Sequence, residues 1–227
     1  MRFMPTWIWQ SRHWPGFPFD AAALAPALAS ASGAQGELIG LARALGVEEA
    51  RNAEASIWTS ESLATAAIEG EKLDIDSVRS SIARRLGLTH SPHSGQRAVE
   101  GLLDMMQDAA SRWQQPLTLQ RLCAWQAALF PTGYSGLHRI ATGRLRRGAE
   151  PMQSVSGRID KPKVHYVAPP AARLPMEIRG FLAWFNGESR AMDGFVRAGI
   201  AHLWFEIIHP FEDGNGRVGR AIVDLAL

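Results

Sequence analysis

The stretch that decides the fold lies close to the end of the chain and reads His209-Pro210-Phe211-Glu212-Asp213-Gly214-Asn215-Gly216-Arg217-Val218-Gly219-Arg220. These residues bring together a histidine, a carboxylate, two glycines around an asparagine, and two arginines. An apolar segment with helical character precedes the stretch over residues 195–208, and another helical segment follows over residues 218–227. We therefore expect the rest of the chain to support, cover or control this loop.

The second half of the stretch has the chemistry of an anion site. Gly214 and Gly216 flank Asn215 just before a helix, so the backbone can adopt unusual dihedral angles and approach a ligand closely. Backbone N–H groups at a helix N-terminus, with the helix dipole behind them, attract anions. Arg217 and Arg220 are three residues apart, so both project from one side of the helix and suit contacts to phosphates.

The first half of the stretch adds a base and a metal ligand. Asp213 supplies a hard oxygen, which suits Mg²⁺ bridging phosphates. A neutral imidazole at His209 can take a proton from an incoming hydroxyl. The pattern does not indicate zinc, because His202, on the preceding helix, is not at ligand spacing. It is also neither a Walker A nor a dinucleotide-binding fingerprint. The residues therefore indicate transfer from a nucleotide phosphate.

The stretch matches the pattern H-x-F-x-[D/E]-G-N-G-R-x-x-R at every specified position, and in this the chain resembles the Fic-domain family of the Fic/DOC superfamily. The resemblance implies a mainly α fold: a helical bundle with a small β-hairpin flap, here with an N-terminal helical extension. It implies a nucleotidyltransferase that moves AMP from ATP, with Mg²⁺, to a Ser, Thr or Tyr hydroxyl of a protein and releases pyrophosphate.

The resemblance also assigns roles to single residues. His209 is expected to be the general base, Phe211 to anchor the loop in the core, and Asp213 to hold Mg²⁺ between the α- and β-phosphates. The expected nucleotide-binding residues are Gly214, Asn215, Gly216, Arg217 and Arg220.

Two short strands are predicted over residues 152–156 and 163–167, around a polar turn. Members of the family use such a hairpin as a flap that binds the target segment by main-chain pairing; the alternative is a hairpin that only covers the core. The expected target-docking residues are Met152, Gln153, Ser154, Val155, Lys163, Val164, His165 and Tyr166. The basic group just before it, around residues 144–147, is interpreted as solvated surface; the alternatives are a site for an acidic target or for nucleic acid.

A second motif, Thr65-Ala66-Ala67-Ile68-Glu69-Gly70, matches the inhibitory pattern [S/T]-x-x-x-E-[G/N] of the family. The resemblance implies that Glu69 pairs with Arg220 and so removes the arginine that should hold the γ-phosphate. Thr65, Glu69 and Gly70 are therefore expected to be inhibitory residues. The alternative is that Glu69 is only a charged residue at a helix end, where it opposes the helix dipole.

The remaining chain is predicted to be helical, with two parts. An N-terminal extension over residues 1–90 begins with an aromatic arm, in which residues 7–9 suit a short strand, and carries the inhibitory motif. A Fic domain, expected to be C-terminally truncated, occupies residues 91–227. Helices are predicted at 21–45, 48–69, 76–86, 99–113, 119–130, 175–186 and 193–208, besides 218–227. A His/Ser/Pro loop is predicted at 88–95. Residues 57, 58, 63, 64, 67 and 68 should form a buried stripe on the second helix.

Composition excludes several classes of protein. Lys and Arg number 24 against 22 Asp and Glu, a net charge of +2 that does not indicate nucleic-acid binding. The single cysteine, Cys123, excludes an intrachain disulfide and suits a reducing compartment. No apolar run approaches the roughly 20 residues that span a bilayer. We therefore expect a cytoplasmic protein. The resemblance implies a protein target, with the chain itself among the candidates, and a homodimer is left open.

Three functions remain open at this point. The first is a self-inhibited protein adenylyltransferase. The second is a de-AMPylase that removes AMP from a modified protein, with Glu69 positioning water. The third is a non-catalytic regulator that keeps the loop as a nucleotide sensor, although the intact His209 and Asp213 argue against it. Other transferred groups, such as phosphocholine, phosphate or UMP, also occur on this fold.

Overall fold

A computed structural model describes residues 7–89, 96–158 and 161–227. The chain divides into two compact units, one formed by residues 1–17 with 104–227 and the other by residues 18–103. The boundary predicted at residue 90 and most of the loop predicted at 88–95 lie outside the described residues.

The described chain is mainly helical, as predicted. Its helices are α1 (Ala21–Ala44), α2 (Val47–Ile68), α3 (Ile75–Arg85), α4 (Arg97–Ser111), α5 (Leu119–Leu129), α6 (Leu174–Asn186), α7 (Gly194–Ile208) and α8 (Asn215–Ala226). Most bounds agree with the sequence prediction to within two residues. The exception is α8, which begins three residues earlier than predicted, so that Asn215, Gly216 and Arg217 form its first turn. None of the helices in the described ranges combines the length and the apolar character needed to cross a membrane.

The strands form two separate antiparallel pairs. The pair β3 (Gln153–Arg158) and β4 (Lys161–Val167) confirms the predicted hairpin, with Ser154 opposite Tyr166 and a bulge between Ser154 and Val155. The turn between these strands lies outside the described residues. A shorter pair, β1 (Tyr134–Ser135) and β2 (His138–Arg139), was not predicted. Two-residue strands are too short to show an alternating pattern.

In the unit of residues 18–103, acidic side chains fix the starts of the helices. Asp20 accepts hydrogen bonds from the N–H groups of Ala22 and Ala23, and Asp74 accepts one from Ser77. The carboxylate of Glu100 on α4 forms ion pairs at 2.5 Å with Arg84 and Arg85 of α3. Val78 and Ile82 of α3 are fully buried.

The buried face of α2 differs from the predicted apolar stripe. Thr59, Ser62, Thr65 and Ala66 are the buried residues of α2, whereas Ile57 and Ile68 are exposed. The hydroxyls of Thr59 and Ser62 donate to the carbonyls of Ala55 and Trp58 on their own helix, which gives each buried hydroxyl an acceptor. Small side chains can therefore be buried here, and hydrophobicity alone selected the wrong face.

In the unit of residues 104–227, aromatic side chains form the centre of the core. Phe181 of α6, Phe205 of α7 and Phe211 of the following loop are fully buried, and Phe205 contacts both of the others with ring centroids 6.0 and 6.3 Å apart. Ile222 of α8 is buried as well. The core therefore includes the loop after α7 as well as its helices.

The aromatic arm packs on this same unit. Residues Ile8–Gln10 form a 3₁₀ turn rather than the predicted strand. The indole of Trp9 donates to the carbonyl of Val167 at 2.7 Å, and that of Trp14 donates to Glu177 at 2.8 Å. The arm therefore contacts β4 and α6.

The first turn of α7 offers a simple test of the capping that positions this helix. Asp193 accepts hydrogen bonds from the N–H groups of Phe195 at 2.9 Å and Val196 at 3.3 Å. Asp193→Ala should lower the free energy of unfolding by about 1 kcal/mol, as measured by urea denaturation. Asp193→Asn retains an acceptor oxygen and should unfold close to the wild-type midpoint. An equal loss in both variants would contradict the capping role.

Candidate active site

The site begins where α7 ends. His209 follows the last helical residue and adopts left-handed backbone angles, φ 49° and ψ 62°, while its N–H still donates to Phe205. Such angles are uncommon for a residue with a side chain and usually mark a functional position or strain. The side chain is about one third exposed (34%), so an incoming group can reach the imidazole.

An acidic side chain faces one nitrogen of this imidazole. The carboxylate of Glu206, one turn earlier on α7, lies 3.7 Å from Nδ1 of His209. A Cβ added at Gly219 of α8 would lie 2.6 Å from the other carboxylate oxygen, so glycine leaves room for Glu206 between the two helices. A carboxylate beside Nδ1 favours a proton there, which leaves Nε2 as the acceptor.

The loop after His209 is closed by one amide side chain. Asn215 accepts a hydrogen bond from the N–H of Phe211 and donates one to its carbonyl, both at 2.9 Å. Both residues are buried. Because the side chain of Asn215 is used inside the loop, it is the backbone N–H of this residue that is available to an anion site.

The carboxylate of Asp213 has a fixed orientation. Oδ1 accepts the N–H of Gly214 at 2.5 Å, and Oδ2 accepts the hydroxyl of Ser135, the last residue of β1. An ionised carboxylate has lone pairs for further partners after two such bonds. Mg²⁺ is commonly held by one or two carboxylates together with substrate phosphates and water. Asp213 offers one such carboxylate, and within the described ranges no group of three acidic, histidine or cysteine residues suited to a metal occurs.

Buried polar groups of α5 and the following segment support the backbone of the loop. The amide of Gln126, which is fully buried, donates to the carbonyl of Asp213 at 3.3 Å and accepts the N–H of Gly143 at 2.7 Å. The N–H of Ala141 donates to the carboxylate of Glu212 at 2.8 Å. These bonds tie the loop to α5 and to the segment that follows it.

Gly214 allows the chain to enter α8. Its φ is 85°, and an added Cβ would lie 2.8 Å from the ring of Phe130. The first intrahelical hydrogen bond of α8 runs from Val218 to the carbonyl of Gly214, so the N–H groups of residues 215–217 precede the helical ladder. These N–H groups and the N-terminal end of the helix dipole lie where the sequence predicts an anion site, and the binding of an anion there stays a prediction.

The two arginines of α8 have different environments. Arg217 is 4% exposed, and its guanidinium lies over the ring of Phe130 with Cζ 4.9 Å from the centroid. Arg220 is half-buried. Arg217 therefore belongs to the buried packing at the N-terminus of α8, whereas Arg220 is nearer to solvent. Their assignment to phosphate binding stays a prediction.

The hairpin presents both polar and apolar side chains. Gln153, Ser154, Lys163 and His165 are exposed, and Val155 keeps half of its surface exposed (52%). Met152 and Tyr166 are half-buried. The hydroxyl of Tyr166 donates to the carbonyl of Ile207 at 2.8 Å, so this residue contacts α7 instead of facing a target.

The inhibitory motif lies in the other compact unit, on α2. Thr65 is buried, and Glu69 is the exposed residue at the C-terminal end of the helix. Gly70 follows with φ 75°, and its N–H and that of Glu71 bond back to Ala67 and Ala66. The motif therefore also ends the helix, since glycine is favoured at this left-handed position.

Four residues of this site were not recognised in the sequence: Ser135, Gln126, Glu206 and Arg146. Gln126 did leave a signal, because it shares the buried face of α5 with Leu122 and Leu129. Glu206 lies one helical turn before His209, and this spacing in the sequence also indicates that the two side chains are neighbours. Ser135 and Arg146 lie in a segment without periodicity. Arg146 was assigned to solvated surface, whereas the structure buries it to 4% exposure.

Comparison with known proteins agrees with this geometry. A family model described as Fic/DOC family matches residues 116–227, and a family described as a domain of unknown function matches residues 7–88. A probable protein adenylyltransferase of Aquifex aeolicus is 42% identical over 59 residues, which is 26% of this chain and 18% of the relative. Protein adenylyltransferase fic-1 of Caenorhabditis briggsae is 34% identical over 93 residues, 40% of this chain and 18% of the relative.

A solved structure extends the likeness over most of the chain. A Fic family protein from Desulfovibrio desulfuricans G20 is similar with a TM-score of 0.59 and 28% identity, covering 93% of this chain and 59% of that one. The predicted mainly α fold with a small hairpin is confirmed by this likeness. The curated relatives are much longer than the segments they share with this chain.

The close approach at Gly214 predicts a structural cost for any side chain there. Gly214→Ala should lower the free energy of unfolding by about 2 kcal/mol, because its methyl group would meet Phe130 at a positive φ. Gly199→Ala is the matched control on α7, where an added Cβ meets nothing within 4 Å. It should be neutral or stabilise by up to about 1 kcal/mol. Similar urea midpoints for Gly214→Ala and the wild type would contradict this account.

Proposed function

Through residues 116–227 the chain belongs to the Fic/DOC family, and on this basis we propose that it is a self-inhibited protein adenylyltransferase. It transfers AMP from ATP to a Ser, Thr or Tyr hydroxyl of a protein. The observation that carries the proposal is the loop between α7 and α8, where an accessible His209, an oriented Asp213 and the N-terminus of α8 occur within a few residues.

In this reaction the hydroxyl oxygen of the target attacks the α-phosphorus of ATP. A bond forms between these two atoms, the bond from the α-phosphorus to the bridging oxygen of the β-phosphate breaks, and pyrophosphate leaves. The hydroxyl proton passes to Nε2 of His209, because Nδ1 is the nitrogen that faces Glu206. Atoms and charge therefore balance with the histidine as base.

The loop and α8 position the polyphosphate. The N–H groups before the helical ladder offer donors to phosphate oxygens, and the dipole of α8 favours negative charge at its N-terminus. Asp213 would hold Mg²⁺, which when bound neutralises charge on the phosphates. Because its two oxygens are already oriented by Gly214 and Ser135, the carboxylate needs little rearrangement to bind the ion.

The hairpin is the proposed docking element for the target. β3 and β4 pair with each other in a two-stranded sheet, so an extended segment of the target can add to an edge by main-chain hydrogen bonds. The exposed residues Gln153, Ser154, Val155, Lys163 and Val164 would contact its side chains. The hydroxyl of Tyr166 bonds to α7, so we propose that this residue takes part in docking through its main chain.

The proposed inhibition rests on the motif at the end of α2. Glu69 is exposed at a helix C-terminus, where a carboxylate opposes the dipole, and this cost is reduced when an arginine pairs with it. Arg220 is the proposed partner. While Glu69 holds Arg220, ATP cannot place its γ-phosphate against that arginine.

Removal of the base gives the first functional test. His209→Ala should abolish labelling of the protein by radioactive ATP with Mg²⁺, because loss of general-base catalysis alone costs about 10²–10⁴-fold in rate. The affinity for ATP, measured by calorimetry, should stay within about threefold of the wild-type value. His209→Asn tolerates the left-handed backbone angles but cannot act as this base, and should be equally inactive. His138 is an exposed histidine of β2 and serves as the control. The His138→Ala variant should be labelled at the wild-type rate. Retained labelling in both His209 variants would remove the base assignment.

Release of inhibition gives the second functional test. Glu69→Gly should raise the labelling rate at least about tenfold over wild type, and mass spectrometry should show a gain of one AMP. Glu71→Gly is the matched control, because it removes the same charge two residues later. Equal rates in wild type and Glu69→Gly would end the inhibition proposal. Loss of AMP from a pre-modified protein in the presence of the wild-type chain and water, without ATP, would instead identify the hydrolytic de-AMPylase activity.

A further inference from the structure

The charge of Arg146 is buried, although the sequence suggested solvated surface. The residue is 4% exposed and lies between β2 and β3. A buried guanidinium is tolerated only when its donors are hydrogen-bonded. The partners that the structure shows are backbone carbonyls: Nε donates to His209 at 2.7 Å, and Nη2 donates to Pro169 at 2.6 Å and to Ile208 at 3.4 Å.

These carbonyls include the C-terminus of α7. The last carbonyls of a helix have no partner within it and carry its negative end. Here Tyr166 donates to the carbonyl of Ile207, and Arg146 donates to those of Ile208 and His209. Burial raises the pKa of the Tyr166 hydroxyl, while Arg146 acts in the opposite sense. The phenol therefore stays protonated and able to donate.

The same arginine also determines the path of the chain beyond the helix. The N–H of Arg146 donates to the carbonyl of Pro210 at 2.9 Å, so the residue bonds to both carbonyls that follow the left-handed turn at His209. A non-glycine residue keeps such angles only when its surroundings impose them. Arg146 supplies two of those constraints, and the N–H of His209 bonded to Phe205 supplies a third.

We propose that Arg146 is a positioning residue that holds the backbone of His209 in its left-handed conformation, and that Tyr166 joins β4 to the same helix end. The guanidinium also binds Pro169, just beyond β4, so the base of the hairpin and the catalytic loop are held by one set of bonds. The distance and orientation between the hairpin and the imidazole of His209 therefore stay constant while a target segment is bound. The catalytic consequence rests on the proposed function; the backbone claim does not.

Conservative substitutions separate positioning from folding. Arg146→Lys keeps the charge but loses the planar fork that reaches carbonyls on both sides. In full-length protein that also carries Glu69→Gly, it should lower the rate constant of labelling at saturating ATP by about 10- to 100-fold. The dissociation constant for ATP should change by less than about threefold. Tyr166→Phe removes a single donor and should give a smaller loss. Arg147→Lys, at an exposed neighbour, should have no effect.

A spectroscopic measurement tests the backbone claim without catalysis. In protein labelled with ¹³C and ¹⁵N histidine, the Cα shift of His209, assigned by its absence in His209→Asn, reports the left-handed conformation. It should move toward ordinary values in Arg146→Lys and stay unchanged in Arg147→Lys.

The two measurements have distinct outcomes. An unchanged His209 signal in folded Arg146→Lys overturns the positioning claim, and so does a wild-type rate constant. Equal losses of rate and ATP affinity would assign Arg146 a general structural role and overturn it too. If the protein carrying only Glu69→Gly incorporates no label from ATP, the proposed function fails. The spectrum of His209 then still decides the role of Arg146.

Discussion

The pair of hydrogen bonds between the side chain of Asn215 and the backbone of Phe211 is the constraint on which the site depends. Phe211 is fully buried in the aromatic core, so its peptide groups are beyond the reach of water and must find partners within the protein. A single amide satisfies both. The chain is thereby held between the end of α7 at Ile208 and the start of α8 at Asn215, which confines the turn to six intervening residues.

Two unusual backbone conformations follow from this confinement. His209 leaves α7 with φ 49°, and Gly214 enters α8 with φ 85°. Glycine accommodates the second without strain and leaves room for Phe130. The first falls on a residue with a side chain, for which such angles are costly, and the external bonds from Arg146 offset that cost. In the segment before the hairpin, several backbone N–H groups bond to other elements: that of Ala141 to Glu212, that of Gly143 to Gln126 of α5, and that of Arg146 to Pro210.

What the sequence predicted correctly depended on local information. The helices were predicted from periodicity and caps, and the loop motif from its own residues, because each of these is determined within a few positions. Arg146 could not be identified, since its partners lie 23 to 63 residues away and no local pattern distinguishes a buried arginine from its exposed neighbour Arg147. The prediction of a buried apolar stripe on α2 was wrong for a related reason. Ser62 can be buried because its hydroxyl bonds to its own helix, and hydrophobicity does not report this.

His209 and Asp213, the proposed base and the proposed metal ligand, share one loop, but different elements hold them. His209 is constrained through α7, by Arg146 on its carbonyl and Glu206 beside its ring. Asp213 is constrained through α5 and β1, by Gln126 on its carbonyl and Ser135 on its carboxylate. A displacement of one support therefore need not move the other group. In the proposed reaction, proton transfer at His209 and metal binding at Asp213 rely on these separate supports, so the geometry of each can change without the other while the bonds of Asn215 keep the loop closed.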